Sequence, residues 1–295
     1  MKDIIQIKNL TKDYGSGKGI FDINLEVKQG EVFGFLGPNG AGKTTTIRNL
    51  MGFIRPSSGE CKVMGMDCYR DAEHIQKNLG YLAGEIAFLD DLNGQQMLEF
   101  IASMKGQKDK SRMLELMNRF ELDPKGKIKK MSKGMKQKIG IICAFMDDPD
   151  VIILDEPTSG LDPLMQNRFI DLILEEKKRG KTIFMSSHIF EEIERTCDRT
   201  AIIKNGKIVA VEDMKSLQQK KQKSYIITFS DEKKAIDFTK SRNDVIEQNS
   251  QKVIVAVRGE VNEFLNELTQ YYIKDLDVRT QSLEEIFLHF YGGEN

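Results

Sequence analysis

The residues best suited to chemistry form a glycine-rich segment directly after a short apolar run. Its eight residues fit the spacing G-x-x-x-x-G-K-[ST] and are Gly37, Pro38, Asn39, Gly40, Ala41, Gly42, Lys43 and Thr44. Glycines let backbone N–H groups close around phosphates, because no Cβ blocks the approach. Lys43 can reach the β- and γ-phosphates of a nucleotide, and the Thr44 hydroxyl can bind Mg²⁺. This phosphate loop (residues 37–44) predicts a nucleotide site and leaves kinase, GTPase and transport-motor functions open.

Two acidic residues, Asp155 and Glu156, end a second apolar run, Val151–Leu154. A buried strand that ends in two acids delivers them to the carboxyl edge of a sheet, where ligands bind in open α/β folds. We expect Asp155 to hold Mg²⁺ through water and Glu156 to polarise the attacking water as general base. Most acidic pairs are merely solvated, but this one follows an apolar strand in a chain that also carries a phosphate loop.

The pattern around these motifs predicts alternating strands and helices. Apolar and polar residues alternate across 21–27, which predicts a half-buried strand, and Glu31–Leu36 predicts a strand leading into the phosphate loop. A helix is predicted from Lys43, a helical region between 95 and 146, and another buried strand at 182–185. The residues with helical spacing in that region are Leu98, Ile101 and Met104, then Leu114, Met117 and Phe120. This alternation predicts a parallel sheet with helices packed on it.

Two short signals mark element boundaries. Asp162 and Pro163 offer an N-cap and a proline at the first helical position. Asn205 and Gly206 favour a tight hairpin between two strands.

The composition changes at 215–223, where lysines stand among glutamines. A solvated helix end and linker is the better interpretation, and a lipid-binding patch is the alternative. Beyond it the predicted elements are a strand (225–229), a helix (233–240), two strands around Asn249 and Ser250, a helix (261–271) and a strand (276–279). The order β-α-β-β-α-β predicts a small α+β module of ferredoxin-like type over 224–295. A last helix is predicted, capped by Ser282 with Glu285 three residues later.

The segment Ser132–Gln137, with the sequence Ser-Lys-Gly-Met-Lys-Gln, lies shortly before the Asp155 strand. It resembles the signature of ATP-binding-cassette (ABC) ATPases, in a variant common among bacterial exporters. The resemblance covers residues 4 to 212 and implies a P-loop NTPase domain of α/β class over 1–214. That domain would have a RecA-like core, an antiparallel β subdomain and a helical subdomain at about 86–148. ATP and Mg²⁺ are the implied cofactors.

The resemblance also assigns roles to single residues. Tyr14 would stack on adenine, although a plain core or surface aromatic is the alternative, and His188 would contact the γ-phosphate. Ser132 and the Gly134 N–H would head a helix and bind the γ-phosphate held by a partner's phosphate loop. The implied catalytic residues are Lys43, Glu156 and His188. The implied nucleotide-binding set is Tyr14, the phosphate loop, Thr45, Ser132, Gly134 and, in a segment that resembles the D-loop, Asp162.

The chain departs from the family pattern in two places. Lys133 replaces the first glycine of the signature and Met135 its glutamine. Where the family normally has a glutamine that ligates Mg²⁺, this chain has Gly84, and Glu85 follows. The Glu85 carboxylate can act as the missing metal ligand or face solvent, and the sequence leaves both readings open.

Composition and family resemblance together predict the cellular setting. The net charge is −1, no apolar run approaches the ~20 residues of a membrane span, and no signal peptide is recognised. The protein is expected in the cytoplasm, held at the inner face of the membrane by a separate permease subunit. A second ATP-binding subunit, identical or different, would complete a head-to-tail dimer with two ATP molecules, and no nucleic acid is expected to bind. The four cysteines have no metal-ligand spacing and are expected to be reduced thiols.

The signature and the end of the chain, Ser282–Leu288, resemble ABC-2-type exporters of antibiotics, antimicrobial or amphipathic peptides, and polymers. In that family the segment Glu85–Leu98 docks the coupling helix of the membrane subunit. The rival class is a soluble ABC ATPase that acts on nucleic acid or ribosomes. Such proteins usually carry two cassettes or long coiled coils, whereas one phosphate loop, one signature and no sustained heptads are found here.

Overall fold

The structure is a computed structural model that describes residues 2–220, 223–240, 242–256 and 261–280. The chain divides into two compact units, Met1–Met214 and Lys215–Asn295. The strands of the first unit are β1 (Asp3–Asp13), β2 (Gly19–Lys28), β3 (Val32–Leu36), β4 (Ser58–Val63), β5 (Met66–Asp67), β6 (Leu79–Leu82), β7 (Val151–Asp155), β8 (Thr182–Ser187), β9 (Arg199–Lys204) and β10 (Lys207–Asp213). Its helices are α1 (Lys43–Leu50), α2 (Ala72–Lys77), α3 (Gly94–Met104), α4 (Ser111–Arg119), α5 (Lys133–Phe145), α6 (Pro163–Lys178) and α7 (Phe190–Thr196), and α8 (Met214–Lys220) follows at the boundary.

The first unit is built on a six-stranded sheet in the order β10-β9-β3-β8-β7-β6. Neighbouring strands from β9 to β6 run parallel, and only β10 is antiparallel to its neighbour. Every residue of β3, β7 and β8 is buried, as expected inside a parallel α/β sheet. The parallel sheet predicted from the β/α alternation is confirmed.

Two of these strands extend beyond the predicted apolar runs. The runs end at Leu154 and Met185, but β7 continues to Asp155 and β8 to Ser187. The reason is that the hydrogen-bonded ladder continues, with Asp155 paired to Ser186. The strand ends therefore carry polar side chains to one edge of the sheet.

A second sheet, in the order β2-β1-β4-β5, is antiparallel. In β2 the predicted alternation is present, with Ile23, Leu25 and Val27 buried and the residues between them exposed. This sheet is the antiparallel subdomain that the family resemblance implies.

Helices occupy most of the region between 94 and 145, as predicted. Helix α3 begins with a capping box formed by Asn93 and Gln96. Helix α6 begins as predicted, since Asp162 accepts a hydrogen bond from the Met165 N–H and Pro163 follows it. The Asn205–Gly206 hairpin is also confirmed, with both residues at positive φ between β9 and β10.

The second unit contains an antiparallel four-stranded sheet in the order β12-β13-β11-β14. Its elements are β11 (Lys223–Phe229), α9 (Glu232–Thr239), β12 (Val245–Asn249), β13 (Lys252–Val255), α10 (Val261–Leu268) and β14 (Ile273–Thr280). The predicted β-α-β-β-α-β order is present. The unit has its own core, which includes Tyr225, Phe229, Phe238, Val253 and Phe264. The helix expected after Ser282 lies outside the described residues.

The segment 215–223 was expected to be a solvated helix end and linker. Most of it belongs to α8, in which Met214 and Leu217 are each 2% exposed. These two residues stand three apart and therefore lie on the same side of the helix. The helix α8 includes Lys215 and Lys220, two of the lysines in this segment. No helix in 2–220, 223–240, 242–256 or 261–280 has the length and apolar composition needed to cross a membrane.

Candidate active site

The phosphate loop joins β3 to α1, and two of its glycines, Gly37 and Gly42, stand where a side chain would not fit. A Cβ on Gly37 would approach the carbonyl oxygen of Ile203 to 2.5 Å, and one on Gly42 would approach Ile20 Cγ2 to 2.6 Å. Gly42 also has φ 114°, in the region that L side chains rarely adopt. Glycine at these two positions therefore lets the loop pack closely against Ile20 on β2 and Ile203 on β9.

Lys43 lies at the centre of this loop and is 5% exposed. Its Nζ donates hydrogen bonds to the carbonyl oxygens of Gly37 (2.6 Å) and Pro38 (3.1 Å). The same Nζ lies 3.0 Å from Oε1 of Glu156. The loop lysine and the predicted general base are thus in direct ionic contact.

Glu156 connects Lys43 to the third predicted catalytic residue. Its other oxygen, Oε2, lies 2.5 Å from Nδ1 of His188. The Glu156 backbone has φ 49°, and its N–H donates to the carbonyl oxygen and the Oγ of Ser186 on β8. The sheet therefore holds Glu156 in a conformation that costs energy for a non-glycine residue. Lys43, Glu156 and His188 form one continuous polar chain.

Asp155 is fully buried, and the Ser186 hydroxyl donates to its Oδ1 at 2.5 Å. Its Oδ2 is buried without a hydrogen-bond donor. Burial raises the pKa of this carboxyl, while the Ser186 and Thr44 hydroxyls lower it. Thr44 therefore lies near the same carboxylate. An orphaned carboxylate oxygen beside a threonine hydroxyl fits the oxygen donor set that Mg²⁺ prefers.

A cleft of about 620 Å³ opens over the phosphate loop and Glu156, and its lining does not include Asp155 or His188. The predicted residues that line it are Tyr14, Asn39, Gly40, Gly42, Lys43, Thr44, Thr45 and Glu156. Tyr14 is 54% exposed at its rim, with the Lys12 ammonium 5.5 Å from the ring centroid. Five lining residues were not predicted to belong to the site, namely Gly17, Lys18, Gly19, Asn205 and Gly206. The hairpin itself was predicted, but its position beside the phosphate loop depends on a tertiary hydrogen bond from the Gly206 N–H to the Ala41 carbonyl.

The signature lies at the start of α5. Ser132 caps the helix, and its Oγ accepts from the Met135 N–H at 3.2 Å. Ser132, Gly134 and Asp162 are not among the residues that line the cleft. One chain therefore brings together the phosphate loop, Tyr14 and the Lys43–Glu156–His188 chain, while the signature residues Ser132 and Gly134 do not line the cleft.

Comparison with known proteins identifies the family. Residues 20–159 match the ABC transporter domain family. The bacitracin transport ATP-binding protein BcrA of Bacillus licheniformis is 35% identical over an alignment of 303 positions, gaps included, which covers 99% of each chain. The chain belongs to the family of ABC transporter ATP-binding proteins. It is therefore an ATP-binding and ATP-hydrolysing transporter subunit.

Two further matches agree with this assignment. The ABC transporter ATP-binding protein YhcH of Bacillus subtilis is 31% identical and matches 99% of this chain and 97% of its own length. A solved ATP-binding subunit of an ABC transporter superposes with a TM-score of 0.67 at 30% identity. That match covers 73% of this chain and 92% of the solved one.

A further residue of this ABC ATPase, Glu192 on α7, was not predicted from the sequence. It is 4% exposed and accepts hydrogen bonds from the hydroxyls of Thr158 and, at 2.8 Å, Ser187. Burial raises the pKa of this carboxyl, and the two hydroxyls lower it. Glu192 thus links Thr158, in the loop after Glu156, to Ser187, the residue before His188. A glutamate within an acidic stretch, Glu191–Glu194, gives no sequence signal of burial.

Glu85, the predicted replacement for the metal-binding glutamine, is exposed in this ABC subunit. Within the described part of the chain it forms no hydrogen bond or ion pair, and it does not line the cleft.

Proposed function

We propose that this chain powers a bacterial membrane exporter, with Glu156 as general base in an ATP site completed by a second subunit. The observation that carries this proposal is the Lys43–Glu156–His188 chain at the carboxyl edge of the parallel sheet. It places a cation, a base and a histidine around one point, as hydrolysis of a terminal phosphate requires.

Each part of the cleft has a task in this proposal. The N–H groups of the phosphate loop and the start of α1 bind the phosphates, and Lys43 exchanges its carbonyl and Glu156 contacts for phosphate oxygens. Tyr14 stacks on the adenine. Thr44 and Asp155 would hold Mg²⁺, which neutralises charge on the phosphate oxygens when bound.

Glu156 would accept a proton from the attacking water, while His188 orients its carboxylate through the Oε2 contact and faces the γ-phosphate. Because the sheet fixes the Glu156 backbone through Ser186, little reorganisation is needed when ATP arrives.

Proteins of this family work as dimers with membrane permease partners. In the proposed dimer, Ser132 and Gly134 of one subunit face the γ-phosphate bound by the other, and Asp162 lies in the connecting D-loop. Ser132 and Gly134 do not line the cleft of their own chain, which supports this composite arrangement. ATP would hold the two subunits together until hydrolysis removes the γ-phosphate contacts.

An apolar groove of about 350 Å³ is our candidate for permease docking. It lies between β6 and the helices α3 and α5, and its lining includes Phe53, Tyr81, Ala87, Phe88 and Ile101. Phe53 is 50% exposed, and its ring meets Tyr81 edge-on. Such a groove suits the apolar face of an amphipathic helix. Docking there would hold the subunit at the cytoplasmic face of the membrane.

The proposed cargo is an antibiotic, an antimicrobial peptide or a similar amphipathic peptide. This choice follows the relative named for bacitracin transport, which matches almost the whole chain. A soluble factor that acts on nucleic acid or ribosomes is not favoured, because the relatives are transporter subunits.

Copurification from detergent-solubilised membranes tests the proposal. We expect the tagged subunit to retain one membrane protein, and Ala87→Glu in the groove to release it by placing a charge on an apolar contact. Val209→Glu, on the exposed edge strand β10, is the control and should leave copurification intact. Recovery of ribosomes or nucleic acid in place of a membrane protein would overturn the proposal.

A further inference from the structure

The first turn of α5 is bonded to the loop that carries Glu156 in the same chain. We call residues 156–160 the glutamate loop. Nζ of Lys133 donates a hydrogen bond to Oγ of Ser159 at 2.7 Å. The Lys133 stem lies over Gly160, where a Cβ would meet Cγ and Cδ of the lysine at 3.0 Å. Both the charge and the methylenes of Lys133 are therefore engaged by this loop.

Two more contacts join the same turn to the glutamate loop. A Cβ on Gly134 would lie 2.7 Å from the carbonyl oxygen of Gly160, so the two backbones are closely packed. Gln137 is 1% exposed, and its Nε2 donates to the Pro157 carbonyl oxygen at 2.7 Å. The helix start and the loop are thus held together at successive points.

The glutamate loop is a tight turn, so a movement of Ser159 also moves Glu156. The Ser159 N–H donates to the Glu156 carbonyl at 3.1 Å, and this carbonyl also lies 3.4 Å from Gln137 Nε2. A shift of Ser159 therefore changes the backbone from which the Glu156 side chain projects.

We propose that Lys133 is a positioning residue, which couples the signature helix to Glu156 through its bond to Ser159. When Ser132 and Gly134 engage a phosphate of the ATP bound by the partner, the Lys133–Ser159 bond fixes the glutamate loop and thereby orients Glu156 in its own subunit. This inference rests on the proposed composite site. Lys133 acts on its own chain, since its ammonium is already bonded to Ser159.

A double-mutant cycle in kcat tests the coupling. Lys133→Met keeps most of the stem and removes the charge, and Ser159→Ala removes the acceptor. We expect each variant to lose about 10-fold in kcat at saturating ATP, the scale of one hydrogen bond to a charged group. The double variant should lose no more than either single variant, and KM for ATP should stay near the wild-type value. Lys133→Arg should retain most of the activity, because a guanidinium can also donate to Ser159.

Two controls separate positioning from a general structural effect. Lys138→Met, about one turn further along α5, should leave kcat unchanged, and the melting temperature of every variant should stay within the ~2–4 °C of wild type that one lost hydrogen bond explains. In a Glu156→Gln background, Lys133→Met should cause no further loss, because its effect passes through that carboxylate.

Additive losses with a raised KM would overturn the inference and would indicate that Lys133 contacts phosphate directly. An unchanged kcat in Lys133→Met would overturn it as well. Normal turnover of Glu156→Gln alone would instead contradict the proposed function, whatever the cycle shows.

Discussion

Gly84 lies directly against Asp155, so close that a Cβ on Gly84 would approach Oδ2 of this carboxylate to 3.0 Å. Oδ2 is the buried oxygen that has no hydrogen-bond donor. The backbone at position 84 therefore forms one wall of the proposed Mg²⁺ site. Glu85 is the next residue in the sequence and is exposed.

The first prediction concerns Glu85. If its carboxylate reaches the metal when ATP binds, Glu85→Ala should raise the Mg²⁺ concentration for half-maximal ATPase activity roughly 10-fold. It should also weaken stimulation by the membrane subunit, while Glu85→Gln should keep much of the activity. Titration with Mg²⁺ at fixed ATP measures this, with Glu73→Ala on α2 as the control. Unchanged Mg²⁺ dependence together with altered stimulation would assign Glu85 to docking instead.

The second prediction concerns the base. Glu156→Gln keeps the side-chain shape and loses the carboxylate, so ATP should still bind while turnover falls by roughly 10²–10⁴. The variant should then accumulate as an ATP-bound dimer, which light scattering detects. Glu191→Gln, an exposed glutamate on α7, should hydrolyse ATP normally. Near-normal turnover of Glu156→Gln would refute the assignment.

The third prediction is that two chains share each site. Lys43→Ala should cripple nucleotide binding, because the buried ammonium at the centre of the loop is lost. Ser132→Arg should spare ATP binding by the monomer and block ATP-dependent dimerisation. The larger side chain would stand at the start of α5, where the partner's γ-phosphate is proposed to bind. A mixture of the two variants can restore at most one intact site per pair. Ser103→Arg on α3 is the control, and normal dimerisation of Ser132→Arg would exclude the composite site.

The fourth prediction uses the raised pKa of Asp155, which burial causes. The folded chain binds this proton more tightly than the unfolded chain, so the wild type loses stability as pH rises from the ordinary Asp pKa through the raised one. Asp155→Asn avoids that loss. Without Mg²⁺ it should be more stable at pH 8 by about 1 kcal/mol, or ~2–4 °C in Tm, while Mg²⁺-dependent ATPase activity disappears.

Thermal unfolding across a pH series measures this difference. The advantage of Asp155→Asn should shrink as pH falls toward the ordinary Asp pKa of ~3.9, where the wild-type carboxyl is also protonated. An advantage that is independent of pH would mean that buried charge is not its cause.

Sequence patterns predicted the parts of the fold that depend on local chemistry. The helix cap at Asp162 and the hairpin at Asn205 follow from side-chain and backbone preferences over a few residues. Strand β1 was not predicted, because Asn9 at φ 50° lies among register shifts that break its alternation. Only pairing with β2 and β4 makes this segment a strand.

Helices were easier to predict than their buried faces. Met104 and Leu114 have helical spacing but are 69% and 51% exposed, whereas Met97 and Met113 are buried. Spacing indicates a helix, but packing against α5 and its neighbours decides which side is covered. Sequence motifs likewise predicted Lys43 and Glu156 as separate functional residues. The contact between them, like the contact between Lys133 and Ser159, depends on tertiary structure.

The strand order has a consequence for how the protein is made. Strand β8 lies between β3, which precedes Lys43, and β7, which precedes Glu156. A chain still emerging from the ribosome can therefore contain the phosphate loop, Asp155 and Glu156 before residues 182–187 have been synthesised. Until then, β3 and β7 lack the strand that lies between them. Such non-local pairing forms slowly, because loop closure costs entropy before the contacts form. Nucleotide can thus stabilise the finished domain and gives little help to its early folding intermediates.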